Sequence, residues 1–388
     1  MGQKEQPMHL TCAQKELSKH LATVCRVVPP RSTLPITGQV LLATDAGRLR
    51  LTATNLDLTI TSWLPANVMM EGSVCLPARL FCDVVDALPS ERVELDLSQR
   101  GRTVWVKGPP YDAKLNGIAA EEFPRIDPIT TAPLLQVPAS DLGRAIEGVI
   151  YAAAKDEVRP QLGGLLVRVG GATVTLVCSD GFRLAIRHLT LPNPATGEID
   201  LIVPARAMAE VARAQSGLDE SVALAVNAMR SQVLFRCESV QIVSRVIDGA
   251  YVNFGHVLDQ VQRHTVRATL ATAELLRAAR FTAFVSRDAG NALRLDLAPA
   301  NGEVGPGRVT LQATASQVGE NTTELSAVVE GEAARIALDN TYLTDALDTI
   351  DTPQVILSAS GGQTLAVRVQ PAGRDDALHL ISPLVLER

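Results

Sequence analysis

Leu76–Leu88 reads LPARLFCDVVDAL, and the same design returns at Val203–Ser216 as VPARAMAEVARAQS and at Leu338–Ile350 as LDNTYLTDALDTI. Each is a helix-like segment that opens on Pro or Asn, at Pro77, Pro204 and Asn340. After each come two alternating apolar strands around a short turn. These are VELDL and TVWVKG from Val93, VALAV and QVLFRC from Val222, and VILSA and TLAVRV from Val355. Val93, Val222 and Val355 lie 129 and 133 residues apart. Upstream, LTAT from Leu51, LVCS from Leu176 and LQAT from Leu311 are spaced by 125 and 135 residues. Four landmarks in one order at one spacing predict three tandem copies of an α+β unit of about 125 residues.

Each copy also begins with a helical pattern. Leu17, Leu21, Val24, Cys25 and Val28 form one apolar face in the first. Leu142, Ala145, Ile146 and Val149 do so in the second, and Leu275, Leu276, Ala279 and Ala283 in the third. Turns are expected at Asp45-Ala46-Gly47, Gly170-Gly171 and Gly361-Gly362, and the break in alternation at Asn55 reads as a bulge. Polar or Pro-bearing interruptions place the domains at 1–130, 131–263 and 264–388. Two helices per unit would cover one face of an antiparallel sheet. Three such units share no single core, and an arc of three closes most simply by C2 pairing into a ring of six.

The 388 residues carry 46% hydrophobic and 20% charged residues, an ordinary globular balance. With no 18-residue apolar run and no apolar N-terminal signal region, a cytoplasmic protein without membrane attachment is expected. Cys12, Cys25, Cys75, Cys82, Cys178 and Cys237 form no C-x-x-C and sit in apolar stretches, which favours buried free thiols over a disulfide or zinc framework. No cofactor or metal is expected. A net charge of −6 and 3% aromatic residues argue against a basic surface or a single-strand stacking platform. Any DNA contact must be with duplex backbone. Nucleophile-elbow, Walker and H-E-x-x-H motifs are missing, and Gly302–Gly307 contains Pro and has the wrong glycine order for a dinucleotide loop. A non-catalytic protein is expected.

Four motifs then resemble one family, the bacterial sliding clamps that serve as β subunit of DNA polymerase III. Ser179-Asp-Gly-Phe-Arg-Leu-Ala185 resembles the middle-domain signature [ST]-D-G-[HF]-R-L-A. Asp156–Pro160, followed by Leu162-Gly-Gly164, is similar to the segment ahead of it. Arg31-Ser-Thr-Leu-Pro-Ile36 resembles R-x-T-L-P-I of domain one, and Leu76-Pro-Ala-Arg79 the entry to its second helix. The resemblance implies a head-to-tail homodimeric ring around double-stranded DNA, without sequence specificity. Such a ring tethers the catalytic subunit of polymerase III, the clamp loader and other proteins that carry a clamp-binding motif. A closed ring holds DNA by topology, so strong counterion release is not needed.

Residue by residue, the resemblance implies DNA contact at Arg31, Arg79, Arg206, Lys155 and Arg159. A solvated loop arginine at Arg31 and structural ion pairs at Arg79 and Arg206 remain equal alternatives. It implies a peptide cleft lined by Leu162, Ser179, Gly181, Phe182, Arg183, Leu184, Val252, His256, Val257, Leu380, Ile381, Ser382, Pro383 and Leu384, with Arg183 as a donor. It implies a dimer seam at Val84, Leu88, Ala113, Leu115, Leu275 and Leu276. The chain departs from the family at Val252, where proline is common, at His256, where arginine is common, and at its Ser382–Arg388 end. Charges over the six helical segments sum to −1 against −6 for the chain, so the helices are near neutral, not basic. An accessory clamp, or a clamp-fold scaffold that does not encircle DNA, is the competing expectation.

Overall fold

The computed structural model describes residues 7–31, 34–98, 102–156, 158–215, 220–261, 264–300, 306–360 and 365–385. Ser32 and Thr33 of the first motif, Glu157, Gly302–Gly305, the Gly361-Gly362 turn and residues 386–388 lie outside these.

The threefold pattern is realised element by element. The first repeat runs β1 (His9–Ala13), α1 (Gln14–Cys25), β2 (Gln39–Asp45), β3 (Arg48–Thr54), β4 (Leu58–Pro65), β5 (Asn67–Met70), β6 (Ser73–Pro77), α2 (Ala78–Ala87), β7 (Arg92–Leu97), β8 (Thr103–Gly108) and β9 (Tyr111–Asn116). The second runs β10 (Leu135–Pro138), α3 (Ala139–Ile150), β11 (Gly164–Gly170), β12 (Thr173–Ser179), β13 (Arg183–Thr190), β14 (Ile199–Pro204), α4 (Ala205–Gln215), β15 (Ser221–Val226), β16 (Gln232–Arg236) and β17 (Val240–Arg245). A short helix α5 (Phe254–Gln260) follows. The third runs β18 (Val266–Ala271), α6 (Thr272–Ser286), β19 (Ala292–Ala298), β20 (Gly307–Ala315), β21 (Gly319–Gly331), β22 (Ala334–Asp339), α7 (Asn340–Asp348), β23 (Gln354–Ala359), β24 (Val367–Pro371) and β25 (Ala377–Ile381). No described helix is long and apolar enough to cross a membrane.

Two compact units result, Met1–Ser140 with Arg213–Val246, and Asp141–Ala212 with Ile247–Arg388. The first holds a five-stranded sheet, β5-β1-β7-β8-β9, and an eight-stranded sheet, β10-β15-β16-β17-β4-β3-β2-β6. The second holds one twelve-stranded sheet, β14-β11-β12-β13-β25-β24-β23-β18-β21-β20-β19-β22. The middle repeat thus divides its strands between the units. Its last strand β17 pairs with β4 of the first repeat, Ile242 facing Ile60. Its β13 pairs in the same antiparallel way with β25, the last strand of the third repeat, Leu184 facing Leu380. Backbone groups left open at a strand edge are satisfied by the neighbouring repeat's edge.

In the first unit α1 buries Leu17, Leu21 and Val24, the face its apolar spacing marks, while α2 buries Ala78, Phe81 and Val85. At the β2–β3 turn Ala46 and Gly47 take φ of 48° and 77°, the left-handed pair a two-residue hairpin needs. Asn55 is not a bulge. It starts the turn between β3 and β4, its Oδ1 accepting from the backbone N–H of Asp57 (3.1 Å) and of Leu58 (2.8 Å). That side chain mimics a backbone turn, which breaks the alternation as a bulge would.

In the second unit Leu275, Leu293, Leu311, Ile336, Leu343 and Leu357 centre the third repeat's core. Three residues expected at a dimer seam offer a partner little side-chain surface, so any part they take in a seam is through their backbone. Leu275 has no exposed area in the single chain, and Leu88 and Leu115 are 8% and 5% exposed. An apolar helix stripe is first claimed by the helix's own sheet. Val84, Ala113 and Leu276 are half-buried.

Candidate functional site

The Ser179–Ala185 motif is a turn between β12 and β13, and its hydrogen bonds explain the residue types. Asp180 Oδ1 accepts from the backbone N–H of Phe182 (2.9 Å) and Arg183 (3.0 Å). Ser179 Oγ donates to the Arg183 carbonyl (2.8 Å) and accepts from Gly181 N–H (3.1 Å). Gly181 has φ +95°, and a Cβ there would sit 2.6 Å from Arg159 Nη1. The positive φ calls for glycine, whereas the Arg159 guanidinium, the end of a flexible side chain, could move aside. Phe182 is pushed outward, 62% exposed, and its carbonyl accepts from Ser382 N–H at 2.8 Å.

Beside this turn lies a cleft of about 350 Å³. Ten of the residues expected there line it: Leu162, Ser179, Gly181, Phe182, Arg183, Leu184, Val252, Val257, Leu380 and Ser382. His256, Ile381, Pro383 and Leu384 are not among its lining. Strand alternation accounts for Ile381: Leu380 faces the cleft, so its neighbour is turned into the third repeat's core. Leu384 is held elsewhere, its N–H donating to the Ala337 carbonyl at 2.8 Å.

Phe254, Val261, Leu365 and Ala366 complete the walls and were missed from the sequence. The signal for two of them was present. Asn253 caps α5, its Oδ1 accepting from His256 N–H at 3.4 Å, and Phe254, Val257, Leu258 and Val261 follow at helical spacing. Arg159 also lines the cleft, its Nη2 donating to the Asp180 carbonyl at 2.8 Å. Arg159, expected as a DNA contact, thus also stands in the wall of this cleft.

Arg183 is not a free donor for a ligand. Its Nε donates to Asp180 Oδ2 (3.0 Å), Nη1 to Asp345 Oδ2 (2.6 Å) and Nη2 to the Tyr151 carbonyl (2.7 Å). The guanidinium lies 5.2 Å from the Tyr151 ring centroid and 4.4 Å from that of Tyr342. With 8% of its side chain exposed, it is a buried cation that ties the cleft's turn to α7. Burial lowers its affinity for a proton, but Asp345 and Asp180 outweigh this and raise its pKa.

Behind it, the Tyr151 hydroxyl is 2.7 Å from His379 Nδ1, and Thr349 Oγ1 is 3.5 Å from Nε2. Burial first, then the Arg187 guanidinium, holds His379 down to about 4. The unfolded chain takes up this proton near pH 6.5, so His379 withdraws stability as pH falls from about 6.5 to 4 and has no effect above that window. Urea midpoints of wild type and His379→Gln, measured from pH 7.5 to 4, should show a shallower decline in the variant. Parallel curves would exclude this role.

The remaining candidate DNA contacts, Arg31, Arg79, Arg206 and Lys155, are all exposed. Arg79 and Arg206 stand in the first turns of α2 and α4, as the repeat requires. Asp156 Oδ1 accepts from Val158 N–H at 3.1 Å, a local turn bond.

The chain matches three family descriptions in order: DNA polymerase III beta subunit, N-terminal domain over residues 8–127, central domain over 136–253 and C-terminal domain over 262–385. It is 32% identical over 386 residues to the beta sliding clamp of Synechococcus elongatus, covering 98% of this chain and all of that one. To the beta sliding clamp of Bacillus subtilis it is 25% identical, covering 91% and 93%. Among solved structures, the Pseudomonas aeruginosa sliding clamp bound to griselimycin superposes with TM-score 0.88 at 26% identity, covering 98% and 100%. The Bacillus subtilis clamp does so with TM-score 0.90 at 23% identity over the same shares, a likeness of fold. With all three domains matched in order and a full-length relative at this identity, the chain belongs to the DNA polymerase III beta subunit family.

Proposed function

We propose that two copies of this chain close head to tail around duplex DNA and act as a sliding clamp, a non-catalytic processivity subunit working in the cytoplasm. The domains are the three repeats, 1–130, 131–263 and 264–388. The observation that carries the reading is the repeated edge pairing. The last strand of one repeat joins the third strand of the first four-stranded set in the repeat before it, as β17 joins β4 and β25 joins β13. By the same rule β9 needs the Gly319–Thr323 edge of β21, and a second copy can supply it.

The internal register carries over. Val240 faces Ser62 and Ser244 faces Leu58 at the first junction, while Arg183 faces Ile381 and Arg187 faces Ala377 at the second. Mapping these through the hairpins β8–β9, β16–β17, β3–β4 and β20–β21 sets Tyr111 opposite Thr323, Ala113 opposite Asn321, Lys114 opposite Glu320 and Leu115 opposite Gly319 of the other copy. Opposite charges at Lys114 and Glu320 favour that register. Large exposed apolar side chains flank both edges, Trp105 and Tyr111 on one, Phe281 and Phe284 on the other. Such surface suits a seam.

Arg31, Arg79, Arg206 and Lys155 would meet phosphates, few enough for sliding. The cleft, with exposed Phe182, Val252, Val257 and Leu365 on its rim, suits a short linear peptide with apolar anchors. Such peptides would come from the catalytic subunit of polymerase III, the clamp loader and other clamp-binding proteins. Phe182→Ala should weaken a peptide of this kind by about 1–3 kcal/mol, whereas Leu384→Ala, outside the cleft, should leave its Kd unchanged in the same fluorescence titration. Equal effects would reject the assignment.

The function itself is tested by loading the protein on a nicked circle and raising the salt. A sliding clamp stays until the circle is cut, then runs off the ends. Equal loss from circles and linear DNA favours the non-encircling scaffold.

A further inference from the structure

We propose that Cys25 and Cys82 are an oxidation site, a thiol pair that reacts with hydrogen peroxide or an organic hydroperoxide and closes into a disulfide between α1 and α2. Cys25 is the last residue of α1 and Cys82 lies in α2, 57 positions along. Their Sγ atoms are 2.9 Å apart. Bond formation needs the sulfurs to approach by roughly 1 Å, given an S–S length near 2.05 Å. The Cys25 thiol also reaches the Ala78 carbonyl at 3.8 Å, one turn along α2, so it lies over the helix that carries its partner. The Ser18 hydroxyl donates to Asp86 at 2.6 Å and holds the same two helices together.

The other four thiols differ in kind. Cys12, Cys75, Cys178 and Cys237 are buried, while Cys25 and Cys82 are only half-buried. Burial pushes Cys12 and Cys75 up to about 12 and Cys237 to about 11, leaving no thiolate to react. At the pair, the shared sulfur–sulfur hydrogen bond raises Cys25, as burial does, and lowers Cys82, there outweighing burial and the carboxylates of Asp86 and Asp83. Cys82 is therefore the attacking sulfur and Cys25 the resolving one.

The chemistry closes without a further reagent. The Cys82 thiolate attacks one peroxide oxygen, the O–O bond breaks, and the departing hydroxide takes a proton to leave as water. Cys82 then carries a sulfenic acid. The Cys25 sulfur attacks the Cys82 sulfur, the S–O bond breaks, and hydroxide leaves as a second water with the Cys25 proton. Two thiols and one hydrogen peroxide become one disulfide and two waters; with an organic hydroperoxide an alcohol leaves in place of the first water. The cross-link joins segments of the first repeat alone, so it is independent of the clamp reading.

The test treats the folded full-length chain with hydrogen peroxide, blocks free thiols and maps peptides without reduction. One linked peptide containing Cys25 and Cys82 is expected, reversed by dithiothreitol, with a thermal midpoint higher by several degrees. In Cys25→Ser, Cys82 should instead accumulate a sulfenic acid that dimedone traps. Wild-type mapping decides the matter even if the variant folds poorly. A chain that keeps both thiols free, links other cysteines first, or oxidises all six at one rate overturns the proposal.

Discussion

Arg183→Ala is expected to cost the second unit about 3–5 kcal/mol, the range for removing one partner from a buried ion pair. The cation is enclosed by Asp180, Asp345 and two tyrosine rings, with its carboxylate partners 14% and 35% exposed. Its loss leaves two carboxylates facing each other's field, Asp180 with little access to solvent and Asp345 with more. Stacking on Tyr151 and Tyr342 is lost as well, each contact contributing about 0.5–2 kcal/mol. Asp180 does double duty, because the same carboxylate holds the Phe182 and Arg183 N–H groups. The turn should therefore loosen along with the global loss. Hydrogen exchange at Gly181–Arg183 should accelerate beyond what the stability change alone gives. Arg183→Lys keeps the charge but not the planar fork, and should recover less than half of the loss. A melting curve within 1 °C of wild type would show that the network carries little.

Reversing the charge at Lys114 or at Glu320 should dissociate the dimer at concentrations where the wild type stays paired. A cross-strand ion pair turned into a like-charge pair costs roughly 1–2 kcal/mol. C2 symmetry repeats the seam twice, so each substitution acts twice. The sum, roughly 2–4 kcal/mol, is on the order of a hundredfold in dissociation constant. Both side chains are exposed in the single chain, so neither change should alter monomer stability by more than the roughly 0.5–1 kcal/mol that Lys114 draws from lying 5.5 Å from the Trp105 ring centroid. Lys114→Glu combined with Glu320→Lys should restore pairing, and sedimentation at several concentrations reads all four proteins. Failure of the double variant to recover, with both single variants dissociated, would mean that the register is wrong.

The helices and hairpins were legible because their signals are local. An apolar face at helical spacing needs only its own residues, and so does the left-handed Ala46-Gly47 turn. What joins the repeats was not legible. β17 meets β4 across more than 170 residues, and nothing in VQIVSR or LTITSWLP names the other as partner. Arg183 illustrates the same limit at the cleft: strand spacing sets it beside the pocket, but the carboxylate that occupies it, Asp345, lies 162 residues away. Leu275 shows the reverse error, an apolar helix position assigned outward when its own sheet already covers it. The helix α5 was readable from Asn253 and its apolar spacing, yet Gly255 and the short length weaken that pattern.

Two copies joined through β9 and β21 are the core of the functional reading, and an electron cryomicroscopy map of the purified dimer bears on it most directly. The expected map is a closed six-domain ring with an opening wide enough for duplex DNA, and with Ala113 of each copy facing Asn321 of the other. A dimer joined through other strands, or a particle with no central opening, would contradict it.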